Sequence, residues 1–88
     1  MDSIMQRQKE CYICGRAWGL ECHHVMNGNP QRKYAEADGL KVWLCTECHH
    51  RVHKDATLRL ALKEKAQMAW LKIHGVEAFR QRYGKSYI

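Results

Sequence analysis

Four of the five cysteines stand as two Cys-x2-Cys pairs, Cys11/Cys14 and Cys45/Cys48, with 30 residues between the pairs. A Cys-x2-Cys turn aims both sulfurs at one point, and two such turns complete the tetrahedron of thiolates that Zn2+ accepts at ~2.3 Å. A structural zinc is therefore expected, clamping the base of whatever fold joins the two turns and contributing folding free energy directly. Cys22 is left over and is expected as a small buried hydrophobe rather than a ligand. The histidines are also grouped: His23-His24 lie between the cysteine pairs, and His49 and His53 follow the second. If the chain turns helical after Cys45, His49 and His53 stand at i and i+4 on one face, the spacing at which two imidazoles hold one metal. His50 then points elsewhere, and His74 is too far along the chain to join them.

The elements that must position these groups are legible in outline. Leu40-Lys41-Val42-Trp43-Leu44 alternates as a strand does, and Leu20 to Val25 is its partner in a β-hairpin. Between them Met26 to Gly39, with Asn27, Gly28, Asn29 and Pro30, is expected as a long basic loop bearing Arg32 and Lys33. Adjacent residues of a regular strand face opposite ways, so His23 and His24 share a site only where the strand ends or bulges. Asp55 is a good N-cap for an amphipathic helix running to Gly75, with Leu58, Leu62, Ala66, Ala69 and Ile73 at spacings of three and four. A second helix is expected from Val76 to Tyr83, stopped by Gly84. Met68, Trp70 and Phe79 are expected in the core, and residues 1–10 as a polar lead-in or short helix. The fold class that results is a small α+β, zinc-stapled single domain over 1–88, with a core at 11–54 and a basic helical extension at 55–88.

At 88 residues hydrophobic burial barely outweighs chain entropy, so a metal staple is the kind of support such a chain needs. Its start is polar and no apolar run approaches the ~20 residues that span a bilayer, which points to a reducing, cytoplasmic setting without disulfides. The net charge of +6 is one-sided: residues 1–50 carry six basic and six acidic side chains, residues 51–88 nine against three. A positive field of that kind makes nucleic acid the first partner to consider, with Lys63, Lys65 and Lys72 on the basic helix and Arg32 and Lys33 on the loop as phosphate contacts.

Leu20-Glu21-Cys22-His23-His24-Val25 and Leu44-Cys45-Thr46-Glu47-Cys48-His49-His50-Arg51-Val52-His53 resemble the HNH family of metal-dependent nucleases. The paired cysteine turns are similar to those of its zinc-bearing bacterial and phage members. Gly84-Lys85-Ser86-Tyr87 is similar to the tail of small phage-encoded HNH-like proteins. The likeness covers residues 11–53 and the tail. It implies a ββα-metal core, a hairpin with a helix across it, and carries over His24 as general base and His23, His49 and His53 as ligands of a catalytic ion. Glu21 becomes the acidic residue orienting the site, and Arg51 a contact to a flanking phosphate. The sequence departs from the family in reading Asp38-Gly39-Leu40 where an Asn usually precedes the second strand.

This set suffices for phosphodiester hydrolysis. An ordinary neutral imidazole takes a proton from water at physiological pH. One divalent ion, Mg2+, Mn2+, Ni2+ or Zn2+, stabilises both the non-bridging and the leaving oxygen. The expected substrate is DNA, duplex or branched, with RNA an open alternative, in a bacterial host or phage-infected cell. A monomer is expected to nick, whereas a double-strand break takes a homodimer or two events. Two further readings use the same residues: a non-catalytic zinc-dependent nucleic-acid-binding module, and a protein-interaction or inhibitor module.

Overall fold

Two short antiparallel strands, β1 (Leu20–His24) and β2 (Lys41–Cys45), pair in a register that sets Glu21 opposite Leu44, His23 opposite Val42 and His24 opposite Lys41. The computed structural model describes residues 2–88. Both strands lie within one residue of their expected positions, and the pairing continues past β1 through Val25 N–H to the Leu40 carbonyl at 3.0 Å. Among the described residues this is a two-stranded sheet joined to four helices.

The connection between the strands is not the expected loop, because it contains helix α1 (Gln31–Asp38). The run Gln-Arg-Lys-Tyr-Ala-Glu-Ala is made largely of good helix formers; Pro30 stands just before it and Gly39 just after. Gly39 closes the helix at φ +75° and donates its N–H to the Ala35 carbonyl. A Cβ there would also lie 2.9 Å from the Asp2 carbonyl oxygen and 3.1 Å from the Ile4 nitrogen. Turn residues at 27–30 mask this helix in the sequence; only Ala35 on it is fully buried, so it shows little apolar periodicity.

Residues 2–10 form no helix and run along the outer edge of β2. The Ser3 hydroxyl donates to the Lys41 carbonyl at 2.6 Å, Trp43 N–H donates to Gln6 Oε1 at 2.8 Å, and Ile4 N–H donates to the Gly39 carbonyl at 3.0 Å. The segment thus satisfies groups that an open strand edge would otherwise offer to another chain.

After β2 the chain enters α2 (Thr46–Lys54) and then α3 (Ala56–Leu71), hinged at Asp55. The Asp55 side chain accepts from Leu58 N–H at 3.1 Å, as an N-cap does. The helix ends at Leu71, short of Gly75; the indole N–H of Trp70 then donates to the Gly75 carbonyl at 3.1 Å and holds the turn into α4 (Val76–Tyr83). Gly84 ends α4 in the left-handed conformation, as the sequence indicates.

The core runs from Val42, Leu44 and Val52 through Leu62, Ala66 and Trp70 to Phe79 and Tyr83. Trp70 and Phe79 are buried as expected, whereas Met68 is 58% exposed, on the outer face of α3. Leu60, Leu71 and Ile73 are exposed as well, because α3 and the turn after it offer only one side to the rest of the chain. Gln67, fully buried, anchors the tail: it donates to Ser86 Oγ at 2.8 Å and accepts from Tyr87 N–H at 2.6 Å. Asp38 accepts from Arg82 Nε at 2.5 Å and from the Tyr83 hydroxyl at 2.6 Å, tying α1 to α4.

Candidate metal centres

The two cysteine turns meet at the start of α2. Cys14 N–H points at Cys11 Sγ (3.5 Å) and Cys48 N–H at Cys45 Sγ (3.4 Å), so each turn orients its sulfurs through its own backbone. The first turn docks on β2 through Tyr12 N–H to the Trp43 carbonyl at 2.8 Å. All four sulfurs lie within 4.8 Å of one another, and Cys14 and Cys45 are 3.7 Å apart. A tetrahedron with metal–sulfur bonds of ~2.3 Å has edges of about 3.8 Å, so the four thiols fit a zinc ion. Burial alone raises the Cys11 thiol, but hydrogen bonds from the Cys14, Cys45 and Ile13 backbone outweigh it and hold the group below the usual thiol value. Burial and the neighbouring thiols push Cys48 the other way. Cys11 therefore forms a thiolate readily while Cys48 resists, until a cation compensates the accumulated charge.

Cys22 is exposed, not buried as expected. It belongs to the sheet face of Leu20, His24, Trp43 and Lys41, whereas Glu21 and His23 face α2.

His23, His49 and His53 form a second cluster, with one ring nitrogen of each within 4.8 Å of the others. The i, i+4 pair on α2 has ring centroids 4.7 Å apart, and His23 reaches across from β1 to within 5.1 Å of His49 and 6.0 Å of His53. Burial, then the neighbouring His49, His53 and His24, hold His23 down at about 4, so it is a neutral imidazole at physiological pH with a lone pair to offer. Glu21 Oε1 lies 2.7 Å from His49 Nδ1. That carboxylate fixes the ring and leaves Nε2 as the nitrogen able to ligate a metal, the arrangement that orients metal-bound histidines generally. Three imidazoles in this geometry could hold a divalent cation with positions left open.

His24, the last residue of β1, does not point into this cluster. Its Nε2 lies 2.8 Å from Glu36 Oε1 on α1. Because the strand ends there, His24 nevertheless lines, with His23, His49, His53, Asn27 and Arg32, one cavity of about 230 Å³. A larger cavity of about 680 Å³ adjoins it at His24 and Arg32 and is bordered by Lys33 and Glu36. Arg32 and Lys33 are thus exposed beside the histidines, although they ride on a helix and not on a loop. Arg51 is exposed on α2. Lys65 and Lys72 are exposed on and just after α3, and Lys63 lies over the Tyr87 ring at 5.5 Å.

Two polar groups at the site have no forewarning in the sequence, Glu36 and Lys41. Lys41 is 5% exposed and its ammonium pairs with Glu36 Oε2. The hydrogen bonds from Lys41 and then His24 hold the Glu36 carboxyl down at about 2. A carboxyl lowered on folding adds stability above its ordinary value near 4.5, and loses it as pH falls toward 2. The stability difference between wild type and Glu36→Gln is therefore expected to shrink between pH 5 and pH 2, checked by urea midpoints across that range.

The chain matches no protein-family model, no curated protein and no solved structure. No helix among the described residues is long and apolar enough to cross a membrane.

Proposed function

We propose that this chain is a metal-dependent endonuclease of the HNH type, with β1, β2 and α2 as its ββα-metal core, hydrolysing phosphodiester bonds of DNA. The observation that carries this reading is the convergence of His23, His49 and His53 beside a fourth histidine that lines the same cavity. A divalent ion held by His23, His49 and His53 would supply charge stabilisation at the non-bridging and leaving oxygens of the phosphate. The chain's own residues do the rest. With Nε2–H donated to Glu36, His24 keeps Nδ1 as an acceptor and takes a proton there from water. The water oxygen bonds to phosphorus, the bond to the 3′ oxygen breaks with its electron pair going to that oxygen, and solvent protonates it. The products carry 5′-phosphate and 3′-hydroxyl ends. Glu21 holds His49 in its ligand orientation, and Arg32, shared by both cavities, stands where it can meet the phosphate. The tetrathiolate site has the separate task of fixing the start of α2, and with it His49 and His53, relative to β2.

The deciding experiment is cleavage of supercoiled plasmid with Mg2+, Mn2+ or Ni2+, run beside His24→Ala. Binding without cleavage in any metal would leave the non-catalytic module as the reading.

Substrate affinity should come in large part from the basic C-terminal half. Arg59 donates to the Val52 and His53 carbonyls, Arg80 pairs with Glu77 and Arg82 with Asp38, so these three are engaged within the fold. Exposed Lys65 and Lys72 are better placed to meet phosphates than half-buried Lys63. Replacing Lys63, Lys65 and Lys72 together by Gln is expected to flatten the plot of log K against log salt by about 0.9 for each phosphate that is no longer neutralised. An unchanged slope in a filter-binding titration would place the phosphate-facing surface at Arg32 and Lys33 instead.

A further inference from the structure

From the geometry around His24 we infer that Glu36 is the positioning residue for the base, held for that purpose by Lys41. The inference rests on the nuclease reading and adds to it a group outside both metal clusters. His24 closes β1 on the sheet face opposite His23, and nothing in a regular strand would aim its ring at the cavity that the two share. Glu36 does so from another element: its Oε1 meets His24 Nε2 at 2.8 Å, and its Oε2 takes the Lys41 ammonium. Lys41 is the residue paired with His24 across the sheet and is almost wholly buried, so its charge requires a partner and Glu36 supplies it. One carboxylate therefore links α1 to both strands and is pinned from two sides.

The consequence is a defined tautomer. A carboxylate only accepts, so His24 must present Nε2–H to it, which leaves the Nδ1 lone pair as the proton acceptor. Lys41 further ensures that Glu36 remains a carboxylate. Asp38, the last residue of α1, cannot take this task, because Arg82 and Tyr83 occupy it. The helix α1 has a reason to exist at this point in the chain: it carries Glu36 to His24 and, one turn earlier, Arg32 to the edge of both cavities.

The test uses the zinc-loaded chain of residues 1–88 and two readouts at a fixed pH near 8. Long-range proton–nitrogen spectra should show His24 as the Nε2–H tautomer in wild type and as a mixture of tautomers in Glu36→Ala, with the histidines of the α2 cluster unchanged. Steady-state nicking should fall by about 10–10² in kcat for Glu36→Ala with KM little altered, the usual effect of losing an orienting partner. Glu36→Gln keeps one acceptor oxygen for two donors; with that oxygen on the buried Lys41 ammonium, its NH2 faces His24 Nε2, so the Nδ1–H tautomer and a kcat as low as that of the Ala variant are expected. A His24 tautomer indifferent to Glu36→Ala overturns the inference, as does equal activity of the Ala variant and wild type. Wild type that fails to cleave with any metal removes the nuclease reading, and the tautomer spectra then still decide whether Glu36 sets the ring. If Glu36→Ala does not fold, the comparison passes to Glu36→Asp, whose shorter carboxylate should retain Lys41 but give the mixed His24 tautomer and the lower kcat; a single tautomer at wild-type kcat would overturn the inference.

Discussion

His24→Ala is expected to reduce cleavage by about 10²–10⁴, the usual worth of a positioned general base, while leaving the fold and the histidine cluster's metal affinity in place. The separation follows from the geometry: His24 bonds to Glu36, whereas His23, His49 and His53 form the cluster among themselves and with Glu21. His53→Ala should behave in the opposite way. It removes one of three ligand nitrogens, so metal affinity falls and excess Mn2+ restores part of the rate. Nicking assays across a metal titration, with calorimetric metal binding to each variant, distinguish the two patterns. Wild-type cleavage by His24→Ala would assign the activity to another residue or a contaminant and return the chain to a binding role.

The second large effect is expected at the cysteines. Stripping the metal with a strong chelator, or replacing Cys45 and Cys48 together by Ser, should abolish cooperative folding of the β2–α2 junction and with it the histidine cluster. The reason is the size of the apolar core, whose buried side chains are few and whose sheet has two strands. Structural zinc contributes about 10–16 kcal/mol of apparent binding free energy in small domains, more than a chain of this length gains from its core. The expected stoichiometry is one zinc per chain retained through purification, read by metal analysis alongside circular dichroism. A folded, zinc-free double variant would show that the sheet and helices hold without it.

Some features lay close to the surface of the sequence because they depend on neighbours in the chain. Cysteines two apart aim sulfurs together, residues four apart on a helix share a face, and Asp55 or Gly84 caps a helix through its own side chain or backbone freedom. Both strands and the pairing of His49 with His53 were legible for that reason. The split of the C-terminal region was only partly so: α3 stops at Leu71, where the Trp70 indole reaches the Gly75 carbonyl, a bond that no periodicity announces. Met68 illustrates the same limit. Helical spacing says which residues share a face, not which face finds a partner, and the face bearing Met68 remains exposed.

By itself, the sequence determined which atoms could ligate a metal, the local turns and helix ends that present them, and the one-sided charge. The tertiary structure alone decided which groups meet. It placed His23 with His49 and His53 but turned His24 to α1, put Glu21 on His49 and Glu36 on His24, tied Asp38 to Arg82 and Tyr83, and left Cys22 exposed. The physical reason is that a strand's two faces are equivalent until something packs on them. Here α2 covers one face and α1, hidden among turn residues, reaches His24 on the other. A carboxylate's partner is then settled by which element carries it there, and not by its distance along the chain.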